Sequence, residues 1–303
     1  MGFVHTTGTA PELLYPGLAK LWGTSYKDYP KIYPKFCTVR TEDKRAFVKD
    51  QEINELGLAS VKDQGDSVAF DRITQGFQKE YVFTTYGIGA KITREMMEDD
   101  LYNVINRIPQ FLAKAMVRTE ETLATNVLNN AFDSTVTGAD GEPLCDSAHP
   151  NSGSAGGTQN NTPTTAADLT QASLEAAWID VSNFRDGNGN RIVVTPKKLI
   201  VSRSDFFNAT KILETKYKTA SADNDVNVLS NLGLELVVTN YLTDQDAWFL
   251  INDVEDGIVF YRRREASINR DNDVNTENLS IVTTGRFDVG FTNWRGVYGS
   301  PGA

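Results

Sequence analysis

The sequence predicts an α+β fold built around one long helix and an extended two-stranded ribbon. Residues 94–133 repeat apolar side chains at spacings of three, four or seven, the period of an amphipathic helix. Residues 46–92 contain stretches in which apolar and polar side chains alternate, as in half-buried strands. Residues 168–270 alternate strand-like and helix-like segments. With 303 residues and 40% hydrophobic content, the chain can bury one large core or two modest ones.

The first 45 residues are typical of an arm rather than of a domain. Their segment "PELLYPGLAKLWGTSYKDYPKIYPKF" contains four prolines and several aromatic side chains but no sustained period. We therefore expect residues 1–45 not to bury Tyr15, Trp22, Tyr26 and Tyr33 by folding on themselves. The arm should lie on another surface, either its own domain or a neighbouring subunit.

Residues 46–92 are expected to form an extended hairpin. Alternation is clear at Ile88, Ala90 and Ile92, and the polar, glycine-containing segment "NELGLASVKDQGDS" indicates a turn. We expect residues 47–56 to pair with residues 68–92. A two-stranded ribbon is marginally stable in water, so it must lie against the body of its own chain or another subunit. Its candidate assembly contacts are Phe47, Phe70 and Phe77.

The helix over 94–133 has a defined start and an expected interruption. Thr93 is a suitable N-cap, and Glu95 is acidic in the first turn, where the helix dipole favours negative charge. Pro109 removes a backbone donor and disfavours the helical region for Ile108. We therefore expect a bend near 107–109 or two helices in series.

The remaining chain predicts a compact α+β unit that ends in strands. Helices are expected at about 169–185 and from Ser204 or Asp205 onward, with a strand over 197–202. The segments "LGLELVVTNYL", "AWFLI" and "GIVFYRR" follow as strands, and residues 278–298 form one long β-rich segment.

The stretch "PLCDSAHPNSG" is the one place where reactive side chains gather, with Cys145 and His149 four residues apart. Both lie in a long loop over 134–167, where no element is seen to orient the histidine for catalysis. The other histidine, His5, is in the arm. We expect a structural loop that caps the helix end and packs through Pro143, Leu144 and Pro150, and no catalytic residue.

No metal or cofactor site is predicted. The segment "DGNGNRIVVTPK" places Asp186, Asn188 and Asn190 like a calcium loop. However, Arg191 occupies the glycine position and Lys197 the position of the bidentate glutamate. The segment is therefore expected to be a turn.

Charge limits the partners of this chain. Forty acidic and 30 basic residues give a net charge of −10, which repels phosphate backbones and argues against nucleic-acid binding as the primary function. Apolar runs are too short to span a bilayer, so no membrane partner is expected. The basic run Arg262, Arg263 and Arg264 is a candidate contact for an acidic patch with Glu98 and Asp99 on another subunit.

The order of elements resembles the major capsid proteins of tailed bacteriophages, the Hong Kong 97-type fold. The stretch "DGEPLCDSAHPNSG" resembles the Asp-Gly…His-Pro loop after the spine helix of Mu-type major head subunits, and "NLSIVTTGRFDVGFTNWRGVYGS" resembles their final peripheral strand. The resemblance implies an N-terminal arm, an extended loop, a peripheral domain with the spine helix and an axial domain. These parts correspond to residues 1–45, 46–92, 93–163 with 271–303, and 164–270.

The resemblance also implies a function. It predicts a major capsid protein without enzymatic activity that assembles as pentamers and hexamers into an icosahedral shell around phage double-stranded DNA. The shell would form in the host bacterial cytoplasm with portal, scaffolding and decoration proteins, and would become the virion capsid. Two alternatives stay open: an encapsulin-like bacterial compartment, and a soluble α+β hydrolase that uses the 134–160 loop.

Overall fold

The computed structural model defines five α-helices and twelve strands in the residues that it describes. Those residues are 11–42, 44–54, 56–68, 70–99, 104–153, 156–215, 226–272 and 278–303. The helices are α1 Pro11–Asp28, α2 Arg94–Glu98, α3 Val104–Asn129, α4 Gln171–Ser182 and α5 Phe206–Glu214. The strands, taken sheet by sheet below, form two four-stranded sheets and two two-stranded pairs.

The first sheet packs against α3. Its strand order is β1 Thr38–Thr41, β10 Ile258–Asn272, β11 Leu279–Phe291 and β4 Thr84–Ile92, with β1 parallel to β10 and the other pairs antiparallel. Burial alternates along β11, as expected of a strand with one covered face. Phe260 and Phe287 from this sheet join Met116 and Leu128 of α3 in one buried cluster.

The second sheet has its own core. It contains β12 Val297–Ser300, β9 Trp248–Asn252, β7 Pro196–Ser202 and β8 Glu235–Thr239, in that order. Helix α4, held by a capping box between Thr170 and Ser173, buries Leu174 and Val181 against it. The sequence assigned residues 258–270 to this unit, but β10 belongs to the first sheet, whereas β12 at the end of the chain joins the second.

The ribbon is shorter than the sequence predicts. Strand β2 Phe47–Asn54 pairs antiparallel with β3 Thr74–Val82, whereas β4 leaves the ribbon and pairs with β11. Residues 70–73, expected to be strand, lie in the connecting loop. The short strands β5 His149–Pro150 and β6 Thr158–Gln159 form the remaining pair.

The arm contains a helix that the sequence did not predict. In α1, Leu18, Trp22 and Tyr26 recur every four residues and are buried in the cluster around α3. Pro11 opens the helix, where its missing N–H group costs nothing. The arm therefore lies on α3 of its own chain, which is one of the two surfaces that the sequence left open.

Pro109 does not end the central helix. Thr93 caps α2 as predicted, since its hydroxyl accepts the Met96 N–H at 3.2 Å, but α2 ends at Glu98. Two helices in series are therefore present, although the described interruption is at Asp99 and not at 107–109. Pro109 is the sixth residue of α3, where it removes one backbone hydrogen bond without breaking the helix.

Candidate assembly surfaces

The loop of the ribbon exposes apolar side chains that no described part of the chain covers. Val61 and Phe70 are each 95% exposed. Leu58 is also largely exposed, and further apolar side chains of the ribbon and its loop lie open to solvent: Ile53, Leu56, Val68 and Ile73. Water-exposed apolar surface of this extent marks an interaction site, because its burial is favourable by about 25 cal/mol per Å².

Polar contacts hold the strands of the ribbon against the body as far as the end next to the loop. Glu52 of β2 forms an ion pair of 3.0 Å with Arg295, which is buried and donates from Nε to the Arg185 carbonyl at 2.7 Å. Burial lowers the pKa of Arg295, and the adjacent Glu52 opposes that shift. The Tyr261 hydroxyl donates to Asp50 at 2.6 Å. The ribbon therefore leaves the body in a defined direction.

Two buried carboxylates of α3 hold the arm. Glu120 accepts hydrogen bonds from the hydroxyls of Tyr26 and Tyr33, and lies 3.3 Å from Lys31 Nζ and 3.8 Å from an Arg262 guanidinium nitrogen. Burial, together with the negative charge of Glu120, raises the pKa of both tyrosines. Arg262 therefore pairs with Glu120 of its own chain, although the sequence predicted that it contacts another subunit.

Glu121, the next residue, binds the backbone after α1. Its carboxylate accepts the N–H groups of Ile32 at 2.5 Å and Tyr33 at 3.2 Å. Burial raises the pKa of Glu121, and these backbone donors partly offset the shift. Glu120 and Glu121 together fasten residues 26–33 to α3, a role that the sequence analysis missed. An adjacent pair of acids inside an apolar helical stretch is the signal that could have indicated it.

The structure separates the residues predicted as assembly contacts into three groups. Trp22 and Tyr26 stack at 5.0 Å inside the core of their own chain. Phe47, Phe70 and Asp99 are exposed, and Phe77 is half-buried. The side chains of Tyr15 and Glu98 lie outside the described part of the chain.

The loop with Cys145 and His149 contains a buried hydrogen-bond network of His149, Asp140 and Asn161. Both ring nitrogens of His149 face acceptors: Nδ1 lies 2.6 Å from Asp140 and Nε2 lies 3.1 Å from Asn161 Oδ1. Asn161 must present this oxygen, because its amide nitrogen donates to three backbone carbonyls. The histidine ring is therefore held between two oxygen atoms, and it stacks on Trp294 at 4.4 Å.

This arrangement corrects the expectation that nothing orients the histidine. His149 is fully buried, and burial raises the pKa of the equally enclosed Cys145 thiol, which disfavours its nucleophilic form. The Cys145 N–H donates to the Ala131 carbonyl beyond α3, so the loop does cap the helix end as predicted. Pro143 and Leu144 are buried and Pro150 is half-buried.

The calcium-like segment is a turn, as the sequence indicated. Asp186 accepts hydrogen bonds from the Asn190 N–H at 2.7 Å and from its side-chain amide at 2.9 Å. Within the described residues, no group of three or more His, Cys, Asp or Glu side chains is arranged to hold a metal ion. No helix in the same residues is long and apolar enough to cross a membrane.

The fold resembles several solved shell proteins. It matches a virus-like particle from Pyrococcus furiosus with a TM-score of 0.58 and 10% identity, over 95% of this chain and 99% of that one. The procapsid of bacteriophage JBD30 matches with a TM-score of 0.55 and 14% identity, over 97% and 76%. The capsid of cyanophage P-SCSP1u matches with 0.58 and 11%, over 89% and 87%. At these identities the likeness concerns the fold.

The family comparison covers most of the chain. No curated protein matches the sequence. A family model described as phage capsid protein matches residues 76–300, from the second strand of the ribbon to the end of β12. The α+β Hong Kong 97-type capsid fold, which the order of elements indicated, is thereby confirmed. The chain therefore belongs to the phage capsid protein family.

Proposed function

We propose that this family member is the major capsid protein of a tailed phage, whose copies assemble as pentamers and hexamers into an icosahedral shell around double-stranded DNA. The observation that carries the proposal is the ribbon, whose strands are fixed to the body through Glu52 and Arg295 next to an exposed apolar loop. A rigidly aimed apolar loop is suited to a site on an adjacent subunit, because burial there removes apolar surface from water.

The charge of the chain supports the same function. A net charge of −10 disfavours adsorption of nucleic acid, so a shell of many copies can enclose DNA without binding it in a sequence-specific way. His149 and Cys145 are buried, so a substrate cannot reach them from solvent, and this argues against a hydrolase that uses the 134–160 loop. An encapsulin-like compartment would be distinguished by its contents, protein cargo instead of DNA.

The finer parts of the proposal concern domains and partners. We assign residues 1–45 to the arm and 46–92 to the extended loop with its return strand β4. Because β10 lies in the first sheet and β12 in the second, we assign α4, α5 and the second sheet to the axial domain, and α3 with β10 and β11 to the peripheral domain. Assembly in the bacterial cytoplasm with portal, scaffolding and decoration proteins, followed by incorporation into the virion, completes the proposed role.

Electron microscopy of the purified protein tests the proposal directly. Wild-type protein should form closed shells of uniform size. A variant with Leu58→Asp, Val61→Asp and Phe70→Asp should give soluble subunits of unchanged stability that do not form shells, because these side chains are largely exposed in the subunit. Val193→Asp, at a 98% exposed apolar position outside the ribbon, is the matched control. Normal shells from the triple variant would show that the loop is not an assembly contact.

A further inference from the structure

Three arginines converge on one shallow pocket of about 370 Å³ on the first sheet. Arg263 and Arg264 come from β10, Arg286 from β11, and Thr85 of β4 completes the lining. Phe287 packs into the core with α3, so Arg286, one residue before it, faces the opposite side of the sheet. The pocket therefore lies on the face that α3 does not cover.

These guanidinium groups lack a counter-ion in the described part of the chain. Arg264 donates to the Thr284 hydroxyl at 2.9 Å, Arg286 donates to the Phe83 carbonyl at 3.2 Å, and Arg263 lies over the Phe83 ring at 6.0 Å. All three partners are neutral. Other arginines in this acidic chain pair with carboxylates, as in Arg40–Asp256, Arg262–Glu120 and Arg295–Glu52.

The sheet register makes the arrangement costly to the isolated subunit. Arg264 lies directly opposite Arg286 in the ladder, and like charges at such positions destabilise a sheet. Register shifts on both sides of Arg264 allow Arg262 to reach Glu120 beside α3 while Arg264 stays exposed beside Arg286. Bulges of this kind re-aim side chains next to functional sites. The cluster is thus a built feature of β10.

We propose that this three-arginine pocket binds carboxylates of the ribbon loop of a second copy, supplied by Asp63 and Asp66. The inference rests on the proposed function, since copies meet in an assembly. Both aspartates are exposed at the turn of the loop, where the Asp66 N–H donates to the Asp63 carbonyl, and neither carboxylate bonds a described residue. Guanidinium groups match carboxylates in shape and charge.

A second copy fits this pocket better than nucleic acid does. The net charge of −10 repels a polyanion at long range, whereas the proposed contact brings only the carboxylates of Asp63 and Asp66 to the pocket. The same loop carries the exposed apolar side chains that need a covering surface. Charge pairing at the pocket would set the position of the loop, and apolar burial would add affinity.

Charge exchange tests the pairing. Shell yield is measured by ultracentrifugation at about 0.05 M and about 1 M salt, because salt screens exposed pairs. Arg264→Glu and Asp66→Arg should each weaken assembly roughly two- to fivefold at low salt, and the double variant should restore it. Lys91→Glu, an exposed reversal near the far end of β4, should leave the yield unchanged. Arg264→Gln subunits should unfold no earlier than wild type, because repulsion by Arg286 is removed.

Each other outcome overturns the pairing in a distinct way. Unchanged yield in Arg264→Glu would remove the pocket from assembly. Loss that is restored by Asp99→Arg and not by Asp66→Arg would move the partner carboxylate to the end of α2. If Arg264→Glu forms a normal yield of shells that contain less DNA, the pocket binds phosphate groups of DNA and not a second copy. Wild-type protein that forms no shell at all would overturn the proposed function itself, and the pairing with it.

Discussion

Replacing Glu120 by glutamine should destabilise the subunit more than any exposed charge change. Glu120 is 1% exposed and accepts hydrogen bonds from the Tyr26 and Tyr33 hydroxyls, with Lys31 and Arg262 as its cationic neighbours. Glutamine keeps one acceptor oxygen and the same size. The substitution therefore removes charge and one acceptor with little change in packing volume.

The expected loss of stability depends on Lys31 and Arg262, the two cationic side chains that remain partly buried when Glu120 loses its charge. Removing one partner of a buried ion pair costs about 3–5 kcal/mol, because the other charge is left without compensation. The side chains of Lys31 and Arg262 are 20% and 17% exposed, so water takes over part of that interaction. We therefore expect a decrease of about 3 kcal/mol in the free energy of unfolding, a large share of the roughly 5–15 kcal/mol typical of a protein.

Urea unfolding of disassembled subunits measures this loss, and Trp22 fluorescence reports the region because Trp22 stacks on Tyr26. Glu175→Gln, an exposed carboxylate on α4, is the control and should stay within about 0.5 kcal/mol of wild type. Adding Arg262→Met to Glu120→Gln should recover at least about 1 kcal/mol. A Glu120→Gln change below about 1 kcal/mol would refute the assignment of these carboxylates as the anchor of the arm.

Two further predictions concern buried titratable groups. Burial raises the pKa of Tyr33, Tyr81 and Tyr298 in the folded chain above their ordinary value of 10.0, so their contribution to stability is present below pH 10 and lost as pH rises further. Ultraviolet difference absorbance should show these hydroxyls ionising together with unfolding, and smooth titration of a still-folded chain would contradict this. His149→Ala should lower the free energy of unfolding by about 3 kcal/mol, since the Asp140 carboxylate stays buried without its donor. If His149→Ala melts at the same temperature as wild type, the buried contact between His149 and Asp140 does not stabilise the loop.

Local patterns identified those elements whose signal lies within one segment. The Thr93 cap, strand β7 and the β-rich character of β11 all follow from neighbouring residues, and the structure confirms them, although the single β-rich segment expected over 278–298 is divided between β11 and β12. Helix α1 was missed because its apolar stripe is short and is interrupted by prolines. Strand β4 was recognised as a strand but assigned to the wrong partner, because alternation looks the same whichever strand it pairs with.

The sequence by itself therefore determined the order of the elements after the arm, the acidic balance, the turn at 186–190 and the capping role of the loop around Cys145. Only the tertiary structure decided which charges are internal. Glu120 and Arg262 are 142 positions apart yet share one buried site, whereas Arg264 and Arg286 stand side by side without a carboxylate in the described chain. The physical reason is that burial and ion pairing depend on contacts between distant residues, which no local period encodes.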